Sequence, residues 1–221
     1  MADWAYNPGP RYRTGRDALT DSEITLLLNH CTDLEDYTLL SLGIATGMRR
    51  EDIVNVEQKD IREIQVPEVS GPVLEVRYWE HKRNRTWRGY VAGQAAQTIL
   101  QLMNANRGHR WLFASPWNPK KHLSSKTAYN TFQRWLKKAK LKPRPFHSLR
   151  ATCIKQCQRK GWSIEQTMEL VGDSWRTIQE HYMTPSEDEL QETAISKPLI
   201  GQPLPRNRLA KLVAETAEER T

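Results

Sequence analysis

His147-Ser148-Leu149-Arg150 and, further on, Val171-Gly172-Asp173-Ser174-Trp175-Arg176-Thr177-Ile178-Gln179-Glu180-His181-Tyr182 are the segments that decide how this chain reads. Pro143 and Pro145 stop the chain ahead of His147, and a helix is expected from about His147 to Lys160, ended by Gly161. Ser163 with Gln166 opens the next helix as a capping box, Gly172 closes it, and a third runs from about Ser174 past Tyr182 to Pro185. His147 and Arg150 therefore lie one turn apart at a helix start, on one face, where the helix end favours an anion.

Working outward, a second arginine stands in Thr46-Gly47-Met48-Arg49-Arg50-Glu51-Asp52. Gly47 interrupts a helix expected over Leu34 to Ala45, so Arg49 follows a turn and can reach into a cleft. Asp52 is one turn along and can orient an arginine. Alone, each residue is ordinary: an arginine as a surface ion pair, His147 as a cap, Tyr182 as packing. Together they match the needs of a tyrosine attacking a phosphodiester. A phenol with a pKa of about 10 must lose its proton as it attacks. Charge then builds on the non-bridging oxygens, which suits permanently charged, bidentate guanidiniums. The leaving oxygen needs a proton from a lysine or histidine. Such chemistry uses no metal, cofactor or ATP.

The remaining periodicities predict a mainly α protein with a small three-stranded antiparallel sheet, an α+β fold. Thr20 and Glu23 form a capping box for a first helix carrying Ile24, Leu27 and Leu28 on one face. Arg49 to Val56 reads as a short helix. Asp60 to Gln65, Val73 to Glu80 and Thr86 to Ala92 read as strands; Trp79 and Trp87, flanking the turn between the last two, are expected to pack the sheet. Gln94 to Asn106 reads as a helix. Ser124 caps another to about Lys140, with Tyr129, Phe132, Trp135 and Leu136 inward and Lys126, Asn130, Arg134, Lys137 and Lys138 on the other face.

The chain has 221 residues, 33 Lys and Arg against 26 Asp and Glu, a net charge of +7 and an isoelectric point near 9.4. That balance favours a polyanionic partner. Cys31, Cys153 and Cys157 are too few and too scattered for a disulfide framework, and Cys153 and Cys157, four apart on a helix, are expected in the core rather than on a metal. No signal peptide and no membrane-spanning run is visible, so a soluble cytoplasmic protein is expected. Residues 1–17 read as a basic arm, 18–185 as the main domain and 186–221 as a proline-rich tail ending in a short amphipathic helix with Leu209, Leu212 and Val213.

On these motifs the chain resembles the catalytic domain of tyrosine recombinases, the phage integrase family. Thr46-Gly47-Met48-Arg49 looks like the family's first arginine box, with Asp52 at its acidic position, and His147-Ser148-Leu149-Arg150 like its His-x-x-Arg box. Tyr182 follows Arg150 at the nucleophile's spacing. The hairpin Val73 to Ala92 occupies the place of the hairpin whose turn carries the catalytic lysine; Lys82 is assigned there, with Arg83, Arg85 and Arg88 crowding the same loop. Asp173 departs from the pattern, which has His or Trp. Three readings are open: it turns away to orient Arg49 or Arg150, it is held protonated, or His181 substitutes as donor. The first is favoured, because two guanidiniums would keep it ionised.

The resemblance implies a site-specific recombinase or integrase of a mobile element that cleaves and rejoins double-stranded DNA through a covalent 3′-phosphotyrosine. It also implies a homotetramer on DNA; the C-terminal tail is expected either to dock on a neighbouring protomer and hold it or to pack back on its own domain. Lys126, Asn130, Arg134 and Lys137, the hairpin loop with Arg83 and Arg85, and the arm Arg11 to Arg16 are the expected DNA-binding surface. Two other functions fit the same residues: a DNA-binding regulator with weakened cleavage, motivated by Asp173, and a strand-passing enzyme of the type IB topoisomerase kind.

Overall fold

The structure is a computed structural model that describes residues 14–80, 84–182, 187–197 and 199. Contacts divide the chain into Met1–Thr184 and Pro185–Thr221. In the second unit a helix, α9, spans Glu187–Ser196; Leu209, Leu212 and Val213 lie outside the described residues.

The first unit starts with a 3₁₀ turn at Thr14–Asp17 and continues with helix α1 at Asp21–His30. The Thr20–Glu23 capping box is formed in both directions, which fixes where α1 begins. Helix α2, Leu34–Thr46, is capped by Asp33 and ends on Gly47 at φ 64°, a conformation that suits glycine. Helix α3 is shorter than expected, Arg50–Val54, with Arg49 at its N-cap. Asp52, Ile53 and Val56 are all buried, as one shared side requires.

Three strands follow, β1 (Ile61–Ile64), β2 (Val73–Glu80) and β3 (Arg85–Ala92), antiparallel in the order β1-β2-β3. Trp87 turns inward, 3% exposed, and its indole lies where a Cβ on Gly89 would be 1.8 Å from its Cη2. Trp79 does not pack the core: it is 47% exposed, because it alternates with Tyr78, whose ring meets Trp87 at 4.8 Å on the buried side.

Helix α4 spans Gly93–Ala105, and a two-stranded hairpin of β4 (Ala114–Ser115) and β5 (Asn118–His122) precedes α5 (Ser125–Lys138). In α5, Ala128, Phe132, Trp135 and Leu136 are buried, whereas Tyr129, expected inward, is exposed. Helices α6 (Ser148–Arg159), α7 (Ile164–Val171) and α8 (Trp175–Tyr182) complete the unit, with the Ser163–Gln166 box and the left-handed Gly172 in place.

The main core gathers Leu27, Leu39, Leu40, Ile53, Leu74, Ile99, Phe132 and Leu149. A second cluster of Ala151, Cys153, Ile154, Cys157, Val171, Ile178 and Tyr182 ties α6, α7 and α8 together. Both cysteines are free and buried there. Hydrogen bonding with Cys157, then burial, pushes the Cys153 thiol well above its ordinary range, so it packs as an inert small hydrophobe. Among the described residues no helix is long and apolar enough to cross a membrane.

Candidate active site

Three chain reversals build the site. The left-handed Gly47 delivers Arg49, the proline-rich approach delivers His147, and the left-handed Gly172 delivers Asp173 and α8. A Cβ on Gly47 would sit 2.9 Å from Val171 Cγ1 and 3.2 Å from Cys153 Sγ, so the turn bearing Arg49 lies directly on α6 and the end of α7.

Arg150, 2% exposed, is the buried anchor. Its Nη1 donates to the Gly47 carbonyl at 2.7 Å and its Nη2 to the Val171 carbonyl at 2.6 Å, which joins both glycine turns through one guanidinium. Asp173 lies between the two arginines. Its Oδ2 accepts from Arg150 Nε at 3.2 Å and is 2.6 Å from Arg150 Nη2, while its Oδ1 accepts from Arg49 Nη2 at 3.5 Å. The carboxylate thus contacts both guanidiniums.

His147 is the N-cap of α6, in αR geometry and without a side-chain capping bond. Its ring is used elsewhere: Nε2 lies 2.8 Å from the Tyr182 hydroxyl. Tyr182 itself is 3% exposed and held by Ile178 and Val171. Asp52 is buried on α3, one turn from Arg49. The His147–Tyr182 pair and the Arg49–Asp173–Arg150 trio are therefore both assembled around the first turn of α6. Lys82 and Arg83 lie outside the described residues; Arg85 begins β3.

Beside the site a cleft of about 410 Å³ is lined by Arg49, Arg50, Glu51, Tyr129, Phe146 and His147, among others. Arg50, over the Tyr129 ring at 5.9 Å, and Tyr129 are two cleft residues that sequence reasoning missed. The available signal was Tyr129 standing three residues after Lys126, on the basic side of α5. Lys126, Asn130, Arg134 and Lys137 are exposed, the last three around a shallow groove with Gln133 and Lys138. Arg134 is partly committed, since it pairs with Asp36, which also accepts from Trp135 Nε1 at 2.7 Å.

A fold of mostly helices with a small antiparallel sheet, holding two arginines, a histidine and a tyrosine around one helix end, is that of tyrosine recombinase catalytic domains. The comparisons agree. The model of the phage integrase family matches residues 17–189, and the chain belongs to that family. Among solved structures it is similar to the XerA recombinase, with a TM-score of 0.68 at 19% identity over 82% of this chain and 65% of that one. It is also similar to the XerH site-specific recombinase bound to its difH substrate, at 0.64, 14%, 89% and 58% respectively. A lambda integrase dimer bound to a core site gives 0.56, 18%, 73% and 59%. The chain thus spans roughly three fifths of the length of these proteins. None of the curated proteins matches it.

Proposed function

We propose that this chain cleaves and rejoins double-stranded DNA through a covalent 3′-phosphotyrosine at Tyr182, as a site-specific recombinase or integrase. The observation that carries the reading is the 2.8 Å contact between His147 Nε2 and the Tyr182 hydroxyl, beside the two arginines that share Asp173. In the proposed step the Tyr182 oxygen forms a bond to phosphorus as its proton passes to His147. The bond from phosphorus to the 5′ oxygen breaks, and Lys82, assigned from the family's hairpin, protonates the leaving oxygen. Arg49 and Arg150 stabilise the charge on the non-bridging oxygens. Attack by a 5′ hydroxyl from a second duplex reverses these bond changes and exchanges the strands.

Lys126, Asn130 and Lys137 on α5, with Arg83 and Arg85 of the hairpin, are proposed to contact the duplex. One lambda integrase structure is a tetramer bound to a Holliday junction; a homotetramer on DNA, engaged through the C-terminal tail, is the proposed assembly here.

A nicked suicide duplex tests the chemistry. Wild type should give a covalent protein–DNA product that mass spectrometry maps to Tyr182, and Tyr182→Phe should give none. Arg49→Ala should lose the product while keeping most duplex affinity. If wild type binds the duplex and traps nothing, the regulator reading, favoured by Asp173 engaging both guanidiniums, takes its place. Relaxation of supercoils by a monomer without strand exchange would support the topoisomerase reading.

A further inference from the structure

The small sheet has two faces of opposite character. Leu74, Val76, Tyr78, Trp87 and Val91 are buried on the inner one. On the outer one the register sets Arg62 opposite Glu75, Glu75 opposite Tyr90, Arg77 opposite Arg88, and Trp79 opposite Thr86. Directly paired residues share a face, so these seven side chains form one surface.

Two large aromatics stand open on it, Trp79 at 47% and Tyr90 at 54% exposure. Between their rows lies the pair Arg77 and Arg88, and Glu75, opposite Tyr90 and itself 2% exposed, is ringed by three guanidiniums: Arg62, Arg77 with Nη2 at 3.1 Å, and Arg88 with Nε at 2.9 Å. One carboxylate cannot neutralise three arginines, so the cluster keeps a charge of +2 (three Arg less one Glu). Glu75 anchors the arginines and leaves Arg62 and Arg88 more than half exposed, with donors to spare. Trp79 and the Glu75–Tyr90 row are four residues apart along β2, ~13 Å at strand rise. Two stacking platforms therefore flank a cationic stripe.

A duplex keeps its base faces stacked inside and offers only edges and phosphates, so it can use the arginines but not the rings. Unpaired bases use both: faces on aromatics, phosphates on guanidiniums. We propose that the outer face of the β1–β3 sheet is a binding surface for single-stranded DNA, separate from the cleft beside Arg49. Bases stack on Trp79 and Tyr90, and the backbone between them crosses Arg77 and Arg88. Strand exchange would generate such a ligand, but the binding itself does not depend on cleavage and is measured without it.

Fluorescence anisotropy of the full chain with a fluorescein-labelled oligothymidylate, which forms no duplex, tests the surface. Trp79→Ala and Tyr90→Ala should each weaken binding by about tenfold, the loss of one stacked base. Trp79→Phe and Tyr90→Phe should bind as wild type, because stacking needs only a ring. Arg88→Ala should weaken binding and flatten its salt dependence. Trp162→Ala, which removes an exposed ring elsewhere, should change nothing. All these side chains are exposed, and unchanged melting temperatures would confirm that the variants are folded. The proposal is overturned if wild type ignores the oligothymidylate or if the two alanine variants bind it normally. It is equally overturned if those variants lose a blunt duplex to the same extent, which would assign the face to paired DNA.

Discussion

Asp173→Ala should cost this protein about 3 kcal/mol of stability, and the geometry sets that size. The carboxylate is 2.6 Å from Nη2 and 3.2 Å from Nε of Arg150, whose side chain is 2% exposed. Removing one partner of a buried ion pair leaves an uncompensated charge, a loss of about 3–5 kcal/mol. Arg150 would keep its bonds to the Gly47 and Val171 carbonyls, which moves the expectation to the low end. The contact with Arg49 adds little, since it is 3.5 Å long and Arg49 is one-fifth exposed. For a domain of this size each kcal/mol moves the melting temperature by about 2–4 °C, so the drop should be roughly 6–12 °C. Thermal melting followed by circular dichroism reads it, with urea unfolding to check that the slope is unchanged. Asp173→Asn keeps one acceptor and should fall between wild type and alanine. A melting temperature for Asp173→Ala within about 2 °C of wild type would show that Arg150 does not rely on this carboxylate, and the account of the site would fail with it.

Other substitutions probe the frame. A Cβ on Gly15 would lie 3.0 Å from the His181 carbonyl oxygen and 3.2 Å from Tyr182 Cα; under the proposed chemistry Gly15→Val should push Tyr182 out of line and slow adduct formation on the suicide duplex by about 10–100-fold, and an unchanged rate would refute this. Glu35 is pushed up to about 7 by burial and by the charges of Asp33 and Asp36. Its raised value favours the folded state below about pH 4.5, and that contribution is lost as pH rises through about 7. Discounted for partial exposure, Glu35→Gln should therefore be about 1 kcal/mol more stable than wild type at pH 8.5 and no different near pH 4, as read by urea unfolding. Gly89→Ala would drive a methyl into the Trp87 indole, with a separation of 1.8 Å before relaxation. It should cost about 1–3 kcal/mol, and an unchanged urea midpoint would contradict that.

How far the sequence could be read depended on the kind of interaction. Local chemistry was legible: Thr20 with Glu23, Ser163 with Gln166, and the left-handed Gly47 and Gly172 fix element ends through bonds within a few residues, and the structure forms them as expected. The three strands were legible for the same reason, since alternation is a property of neighbours. The β4–β5 hairpin was not, because Asn118–His122 lacks alternation and carries Pro119 and two lysines. Tyr129 misled because its ring is apolar by type, while the helix direction places it in the lining of the cleft. The arginine boxes and Tyr182 were legible as residue types. That Asp173 would touch both arginines was one of several possibilities until the glycine turns were seen to meet.

Counting donors then separates the two arginines. A guanidinium has five N–H groups. Arg150 directs Nε to Asp173, Nη1 to the Gly47 carbonyl and Nη2 to the Val171 carbonyl, with Asp173 Oδ2 also 2.6 Å from Nη2. Most of its donors are committed to the protein, so under the proposed chemistry it serves chiefly as a fixed positive charge beneath the phosphate. Arg49, one-fifth exposed and lining the open cleft, is the one that the proposed chemistry would use to grip the oxygens. Asp173 lowers the charge of the pair from +2 to +1. A net +1 matches a phosphodiester in its ground state but leaves the doubly charged transition state less well balanced. The same carboxylate that holds the pocket together thus limits its electrostatic drive, and stability and cleavage should trade against each other at this one position.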